Sequence, residues 1–227
     1  MKVVQSIWII GGVLTVLQVG ADEAGRGPVM GPMVLCAIAA DVSALTSLGV
    51  KDSKQLSAER RSFLFEELRK FAEWKISVVW PEQIDEAVRE SSLNELELVH
   101  FASLLRQFSA DQFYVDAPDV DAGRFSSQIS RLCGRKIMAE HRADQKYPSV
   151  SAASIMAKVT RDRLIQDISS ELGCDIGSGY ASDSRTVDFI IAYTNANGEL
   201  PPYCRKSWAT SKRIISGIRI KRLDEFR

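Results

Sequence analysis

Apolar stretches alternate with amphipathic stretches along most of the chain, and their order predicts the secondary structure. Residues 13–21 and 33–40 are β-branched or apolar runs on either side of a turn rich in glycine and proline, which predicts two adjacent strands. The same reasoning predicts strands at 73–80, 112–116 and 136–140 and helices at 81–90, 93–108 and 149–171, with another helix beginning at Ser57. Strands that alternate with helices favour an α/β fold with a mixed central sheet.

The composition is that of a globular protein without an overall electrostatic preference. Apolar residues make up 45% and charged residues 26% of the 227 residues, which argues against a disordered or fibrous chain. Lysine and arginine (29) balance aspartate and glutamate (29), so any site for a polyanion has to be local. The four cysteines lack metal-ligand spacing and are interpreted as small buried residues in a reducing compartment.

The first twenty residues are apolar, and we interpret them as a strand with a loosely attached leader. Gly11, Gly12 and Gln18 interrupt the stretch, which makes it a poor membrane span, and no small-residue cleavage site closes it. No other segment is long enough and apolar enough to cross a bilayer. The protein is therefore expected in the cytoplasm, with no membrane partner.

Three acidic residues fall at the carboxyl ends of predicted strands, where open α/β sheets place their ligands. They are Asp22, Glu23 and Asp116. Adjacent strand residues point to opposite faces, so Asp22 and Glu23 can share a site only if the strand ends or bulges there. Taken singly, each acid is more typical of a solvated turn, and only their convergence favours a common site.

Clustered carboxylates need a counter-charge, because like charges a few ångströms apart raise one another's pKa. Mg²⁺ takes oxygen ligands, and two such ions can activate a water and stabilise the leaving oxygen of a phosphoryl displacement. Gly25, Arg26 and Gly27 follow the acids and could bring backbone amides and a guanidinium to a phosphate or a ribose. The alternative is a tight turn with an arginine facing solvent.

Six blocks of the sequence, in order, resemble ribonuclease HII in the version shared by archaea and the catalytic subunit of the eukaryotic ribonuclease H2. The blocks are "GADEAGRGPVMGPMVLCAIAA", "VKDSKQLSAERRSFLFEEL", "SLNELELVH", "FYVDAPDVD", "EHRADQKYPSVSAASIMAKVTRDR" and "GSGYASD". The resemblance implies a ribonuclease H-like fold with a C-terminal helical region. We accordingly expect an N-terminal extension at 1–13, the catalytic core at 14–172 and a helical region that contributes to substrate binding at 173–227.

The resemblance also implies a set of catalytic, metal-binding carboxylates. They are Asp22, Glu23, Asp116 and Asp144, holding Mg²⁺ or Mn²⁺, with two ions expected during catalysis. Asp144 follows from the resemblance alone, since by itself it is a charged residue in a loop before a helix.

The family pattern assigns further residues to the substrate. Gly25, Arg26 and Gly27 are expected to contact the ribonucleotide at an RNA-to-DNA junction, and Tyr180 to stack on the next deoxyribose, although Ala181 replaces the usual proline after it. Such contacts can distinguish RNA from DNA, because only a ribonucleotide carries a 2′-hydroxyl. The basic residues expected at phosphates are Lys54, Lys146, Arg205 and Lys206, while for Lys158 and Arg161 a solvated helix face is an equally good interpretation.

The expected activity is hydrolysis of the RNA strand of RNA/DNA hybrids and cleavage on the 5′ side of ribonucleotides embedded in DNA. The products would carry 3′-hydroxyl and 5′-phosphate ends, and the roles would be primer removal and ribonucleotide excision repair. Two alternatives stay open: a hybrid-binding protein without catalysis, and a two-metal nuclease or phosphatase of other specificity. A monomer is expected from the resemblance, and no sliding-clamp contact is assigned.

Overall fold

A five-stranded mixed sheet forms the centre of the fold. The computed structural model describes the backbone of residues 8–10, 13–50 and 56–224, and side chains of residues 16–50 and 56–218. The sheet has the strand order β5-β4-β3-β6-β7, and its strands are β3 (Leu17–Ala24), β4 (Met33–Asp41), β5 (Glu73–Val79), β6 (Gln112–Asp116) and β7 (Met138–Glu140). Two short strands before it, β1 (Trp8–Ile10) and β2 (Val13–Thr15), pair separately with each other.

The register of the sheet explains its mixed character. β3 pairs antiparallel with β4 along its whole length, from Leu17↔Asp41 to Ala24↔Val34. β3 pairs parallel with β6, and β6 pairs parallel with β7. Both β3 and β4 are buried over most of their length, as their apolar sequences require. The predicted α/β class and mixed sheet are confirmed.

Nine helices are described. They are α1 (Val42–Leu48), α2 (Ala58–Phe71), α3 (Pro81–Glu90), α4 (Leu93–Leu105), α5 (Ala122–Cys133), α6 (Ala143–Lys146), α7 (Pro148–Glu171), α8 (Ser184–Asn197) and α9 (Ala209–Asp224). Ser57 caps α2 as predicted, its side chain accepting from the Arg60 amide. The sequence reasoning missed α1, α5 and α6. α1 and α6 are short, but α5 carried a signal, because Phe125, Ile129 and Cys133 recur at helical spacing between the caps Asp121 and Gly134.

The chain divides into two compact units. The first contains residues 1–24, 34–77 and 94–159 and holds most of the sheet. The second contains Gly25–Met33, Val78–Leu93 and Thr160–Arg227, so it draws on two internal segments as well as the C-terminal helices. The core of the second unit is a cluster of buried residues: Val29, Met30, Ile165, Ile168, Ile176, Ile190, Cys204, Ile214 and Ile218.

Three sequence predictions concern the chain as a whole. Among the described residues, no helix is long and apolar enough to span a membrane. Cys36, Cys133 and Cys204 are buried as expected, but Cys174 is exposed, so the interpretation was wrong for that residue. The expected extension at 1–13 lies mostly outside the described residues, which in that range include only the strand β1 and the first residue of β2.

Candidate active site

The parallel pairing of β3 with β6 brings two acidic residues to the same end of the sheet. The register runs from Gln18↔Gln112 to Ala21↔Val115, and the next residues of the two strands are Asp22 and Asp116. Asp22 is 5% exposed. The carboxyl ends of neighbouring parallel strands are where α/β sheets place functional groups, and here Asp116 is the last residue of β6 and Asp22 lies two residues before the end of β3.

Asp144 joins this pair from the short helix α6, not from the loop that the sequence predicted. The Ala143 amide at the start of α6 donates to Asp116 Oδ1 at 3.0 Å, which ties the helix to the end of β6. Arg142, immediately before α6, has a φ of 56°, a left-handed conformation that is uncommon for a residue with a side chain. This sharp turn carries the chain from β7 into α6 and so places Asp144 beside Asp116.

Carboxylate oxygens of Asp22, Asp116 and Asp144 all lie within 4.8 Å of one another. Burial, together with the neighbouring charge of Asp116, raises the pKa of Asp22 to about 8. The Ser154 hydroxyl on α7 and the Glu23 amide both bond to the Asp22 carboxylate and oppose that rise. Burial beside Asp22 also raises the pKa of the Cys36 thiol on the paired strand.

This donor set fits a hard divalent cation. Carboxylate oxygens are the ligands that Mg²⁺ and Mn²⁺ take, and three of them close together in a largely buried position repel one another without a counter-charge. A cation among them would remove the repulsion that raises the pKa of Asp22.

Glu23 does not belong to this group of three. β3 keeps a regular register through Glu23↔Leu35 and Ala24↔Val34, so the strand neither ends nor bulges between Asp22 and Glu23, which was the condition for the two to share a site. The two side chains therefore follow the alternation of a strand, and Glu23 is half-buried. The strand ends after Ala24, where Gly25 adopts a φ of 87°.

Lys146, expected to bind phosphate, forms an ion pair with Glu140 on β7. The Tyr147 hydroxyl also donates to Glu140, at 2.8 Å, and the Tyr147 ring stacks on Tyr114 of β6 with centroids 3.8 Å apart. The bonds from Lys146 and Tyr147 hold the pKa of Glu140 below its usual range. Burial, and after it the bond to Glu140, raises the pKa of Tyr147 to about 12. Glu140 thus fixes the C-terminal side of the segment that carries Asp144, and Lys146 remains 58% exposed.

The expected ribonucleotide-binding residues lie in the second unit, where the two glycines differ. A Cβ on Gly25 would lie 2.4 Å from Arg161 Cδ and 2.7 Å from the Pro32 carbonyl oxygen. A Cβ on Gly27 would have nothing within 4 Å. Gly25 is required by its φ and by its neighbours, whereas Gly27 is exposed with open space beside it.

Tyr180 is connected to the same loop. Its ring is 37% exposed and lies under the Arg161 guanidinium, 5.0 Å from ring centroid to Cζ. The Gly179 carbonyl accepts from the amides of Val29 and Met30, and Arg161 donates to the Ser178 carbonyl. Within this unit the expected sugar-contacting tyrosine and the expected glycine loop are therefore linked through Arg161 and Gly179.

The other expected phosphate contacts have different outcomes. Arg205 is 0% exposed and donates to the carbonyl oxygens of Gly25, Arg26 and Gly31, so the structure contradicts the expected phosphate contact. Arg161 is 2% exposed, which excludes the solvated-face interpretation. Lys206 is exposed and Lys158 half-buried, while Lys54 lies outside the described residues.

Sequence reasoning also missed two polar residues, Ser154 and Asp85, that bond to residues expected in the site or to the segment next to them. Ser154 bonds to Asp22, and the small residues on that face of α7 were a sign of close packing but not of a specific contact. Asp85 on α3 was not considered, because an acid in an amphipathic helix normally faces solvent.

A family model, a sequence relative and a solved structure all indicate the same family for this chain. A model of the ribonuclease HII family matches residues 19–211. The ribonuclease HII of Thermococcus onnurineus is 46% identical over 203 residues, covering 86% of this chain and 88% of that protein. The ribonuclease H2 from Pyrococcus horikoshii is similar in structure, with a TM-score of 0.83, 42% identity and coverage of 90% and 99% of the two chains.

A further solved structure of this kind contains a second protein. It is the structure of the PCNA:RNase HII complex from Archaeoglobus fulgidus. That chain is 42% identical to this one, with a TM-score of 0.79 and coverage of 85% of this chain and 95% of that one.

Proposed function

The chain belongs to the ribonuclease HII family and is a ribonuclease of the RNase H type acting on RNA/DNA, and from that premise we propose its specificity. It cuts the RNA strand of hybrids and cuts on the 5′ side of a ribonucleotide embedded in duplex DNA, leaving 3′-hydroxyl and 5′-phosphate ends. The observation that carries the proposal is the group of carboxylate oxygens of Asp22, Asp116 and Asp144 within 4.8 Å. Primer removal and ribonucleotide excision repair are the roles that such products would serve.

The three clustered acids are proposed to hold the divalent metal, Mg²⁺ or Mn²⁺, while a role for Glu23 stays a prediction from the resemblance. When bound, the metal supplies an activated water nucleophile and stabilises charge on the leaving oxygen. The chain's own contribution is to orient the carboxylates and to oppose in part the rise in the pKa of Asp22. Ser154 and the Glu23 amide donate to Asp22, and Asp116 is fixed by the Ala143 amide.

Recognition of the ribonucleotide is proposed to depend on Gly25, Arg26, Gly27 and Tyr180. The exposed backbone of Gly27 leaves room for a sugar to approach, which a side chain would reduce. The exposed ring of Tyr180 is held by Arg161 and offers an apolar face to a deoxyribose. The glycine loop would accept a sugar with a 2′-hydroxyl, and Tyr180 would pack against the next sugar, which lacks one. Together these two contacts would recognise a junction between RNA and DNA.

Phosphate binding is proposed for exposed basic residues only. Lys146 and Lys206 meet that condition, and Lys54 keeps its proposed role from the sequence alone. Binding of phosphates by such residues releases counterions, so affinity for duplex should fall with salt concentration. Arg205 is not included, because its guanidinium is committed to backbone carbonyls.

A sliding clamp is a candidate partner, since a relative of 42% identity has been solved in a complex with PCNA. The described residues do not include the last three of the chain, and no clamp-binding segment is assigned. A monomeric state and a cytoplasmic location stay predictions from the sequence.

The experiment that tests the specificity uses a labelled duplex with one ribonucleotide, alongside an all-DNA duplex of the same sequence. With Mg²⁺ we expect a single cut on the 5′ side of the ribonucleotide, which leaves a 3′-hydroxyl that a polymerase extends directly. No cut is expected in the all-DNA duplex or with EDTA. Comparable cleavage of the all-DNA duplex would favour a two-metal nuclease of other specificity.

A further inference from the structure

The loop that carries Gly25–Gly27 is held by its carbonyl oxygens. Arg205 donates through Nη2 to Gly25 at 2.5 Å, through Nη1 to Arg26 at 2.8 Å and through Nε and Nη2 to Gly31 at 3.1 and 3.0 Å. Trp208 donates its indole Nε1 to the Gly27 carbonyl at 3.1 Å. Four carbonyls of one loop are thus bonded by two side chains of one turn, which fixes the orientation of the peptide units between them.

That turn is itself anchored by Asp85, a residue of α3 more than a hundred positions away in sequence. The Asp85 carboxylate accepts from the Lys206 amide at 2.8 Å, the Ser207 amide at 2.9 Å and the Ser207 hydroxyl at 2.5 Å. Hydrogen bonds to an ionised acceptor are stronger than those between neutral groups. A continuous set of contacts therefore runs from α3 through residues 205–208 to the loop.

The Arg205 guanidinium and the carbonyl oxygens of the loop satisfy each other's hydrogen-bonding groups. Arg205 is fully buried, and burial together with the nearby charge of Arg161 lowers its pKa to about 9. Such a buried cation is tolerated only where its donors are satisfied, and here the acceptors are the loop's carbonyls. Lysine could not replace it, because an ammonium is a point charge without the planar set of donors.

We propose that Asp85 and Arg205 are positioning residues for ribonucleotide recognition, acting through the loop Gly25–Gly27. This inference rests on the proposed function, in which that loop contacts the ribonucleotide. Neither side chain is placed on the substrate. Their effect is to hold the Gly25, Arg26 and Gly27 peptides in one geometry before the substrate arrives, so that binding does not have to order the loop.

The test compares Asp85→Asn and Arg205→Lys with the wild-type protein. The matched controls are Glu86→Gln, an exposed acid on the same helix, and Arg213→Lys, an exposed arginine on α9. Steady-state cleavage of the single-ribonucleotide duplex gives KM and kcat, and fluorescence anisotropy in EDTA gives affinity for that duplex and for all-DNA duplex. Cooperative thermal unfolding of each variant shows that it is folded.

We expect Asp85→Asn and Arg205→Lys each to raise KM for the ribonucleotide duplex by about tenfold, because small displacements of a recognition element cost that much or more. We expect kcat to change by less than about threefold, and the preference over all-DNA duplex to fall in parallel. The double variant should be no worse than Arg205→Lys alone, because both changes act on one set of contacts. The controls should match the wild type.

Three results would overturn the inference: unchanged KM in both variants, a loss confined to kcat, or effects that add in the double variant. If Arg205→Lys does not fold, Asp85→Asn decides alone, since it keeps the shape of the side chain. A wild-type protein without preference for the ribonucleotide duplex would instead contradict the proposed function. A wild type with that preference, and variants that retain it, would contradict only the inference.

Discussion

Gly25 and Gly27 lie in one loop but meet different constraints. Gly25 has a φ of 87° and is enclosed by Arg161 and the Pro32 carbonyl. Gly27 is exposed, and a Cβ there would contact nothing in the protein. At the residue scale, the fold explains Gly25 but places no requirement for glycine at position 27.

Alanine should therefore affect stability at position 25 and binding of the duplex at position 27. Gly25→Ala should lower the free energy of unfolding by at least about 2 kcal/mol, because the left-handed conformation and the overlap with Arg161 both oppose a side chain. Gly27→Ala should unfold within about 0.5 kcal/mol of the wild type but bind the ribonucleotide duplex less tightly. Urea denaturation and anisotropy measure the two quantities, and wild-type affinity in Gly27→Ala would exclude the proposed role of Gly27.

The sequence predicted the location of a site residue correctly where its position along a strand determines that location. Asp22 and Asp116 lie near the carboxyl ends of two parallel strands, so their convergence could be expected from the strand ends alone. Arg205 could not be predicted in this way. Its burial depends on carbonyl oxygens about 175 positions earlier in the chain, and no local pattern distinguishes it from an exposed arginine.

The short helix α6 shows how an element places a functional group. Asp144 reaches Asp116 because the chain turns sharply at Arg142 and because Asp116 itself accepts from the first amide of the helix. The sequence around Asp144 offers no periodicity, and four residues are too few for a helical pattern to be recognised. Only the family resemblance indicated this acid beforehand.

The left-handed turn before α6 allows a direct test. Arg142→Gly should keep the free energy of unfolding within about 1 kcal/mol of the wild type, since relief of strain is offset by a more flexible unfolded chain. Arg142→Val should lower it by about 2 kcal/mol, because a β-branched residue is strongly disfavoured at a φ of 56°. Urea denaturation of both variants is the measurement, and equal stability would show that the turn relaxes without cost.

At the scale of the whole molecule, the two compact units carry different parts of the proposed task. The clustered carboxylates belong to the first unit, and the glycine loop, Tyr180 and Arg161 belong to the second. The chain passes directly from one to the other between Ala24 and Gly25. The order of elements along the chain predicted the mixed sheet, but the recruitment of residues 25–33 and 78–93 into the second unit depends on contacts between distant segments.

The most direct test of the central claim is the cleavage rate of the single-ribonucleotide duplex in Mg²⁺ by Asp116→Asn, measured at saturating duplex. The matched control is Asp111→Asn, an exposed acid that precedes the same strand. We predict that Asp116→Asn abolishes turnover while binding of the hybrid is largely retained, because one of the three carboxylates proposed to hold the metal is lost. Cleavage by Asp116→Asn at the wild-type rate would contradict the account.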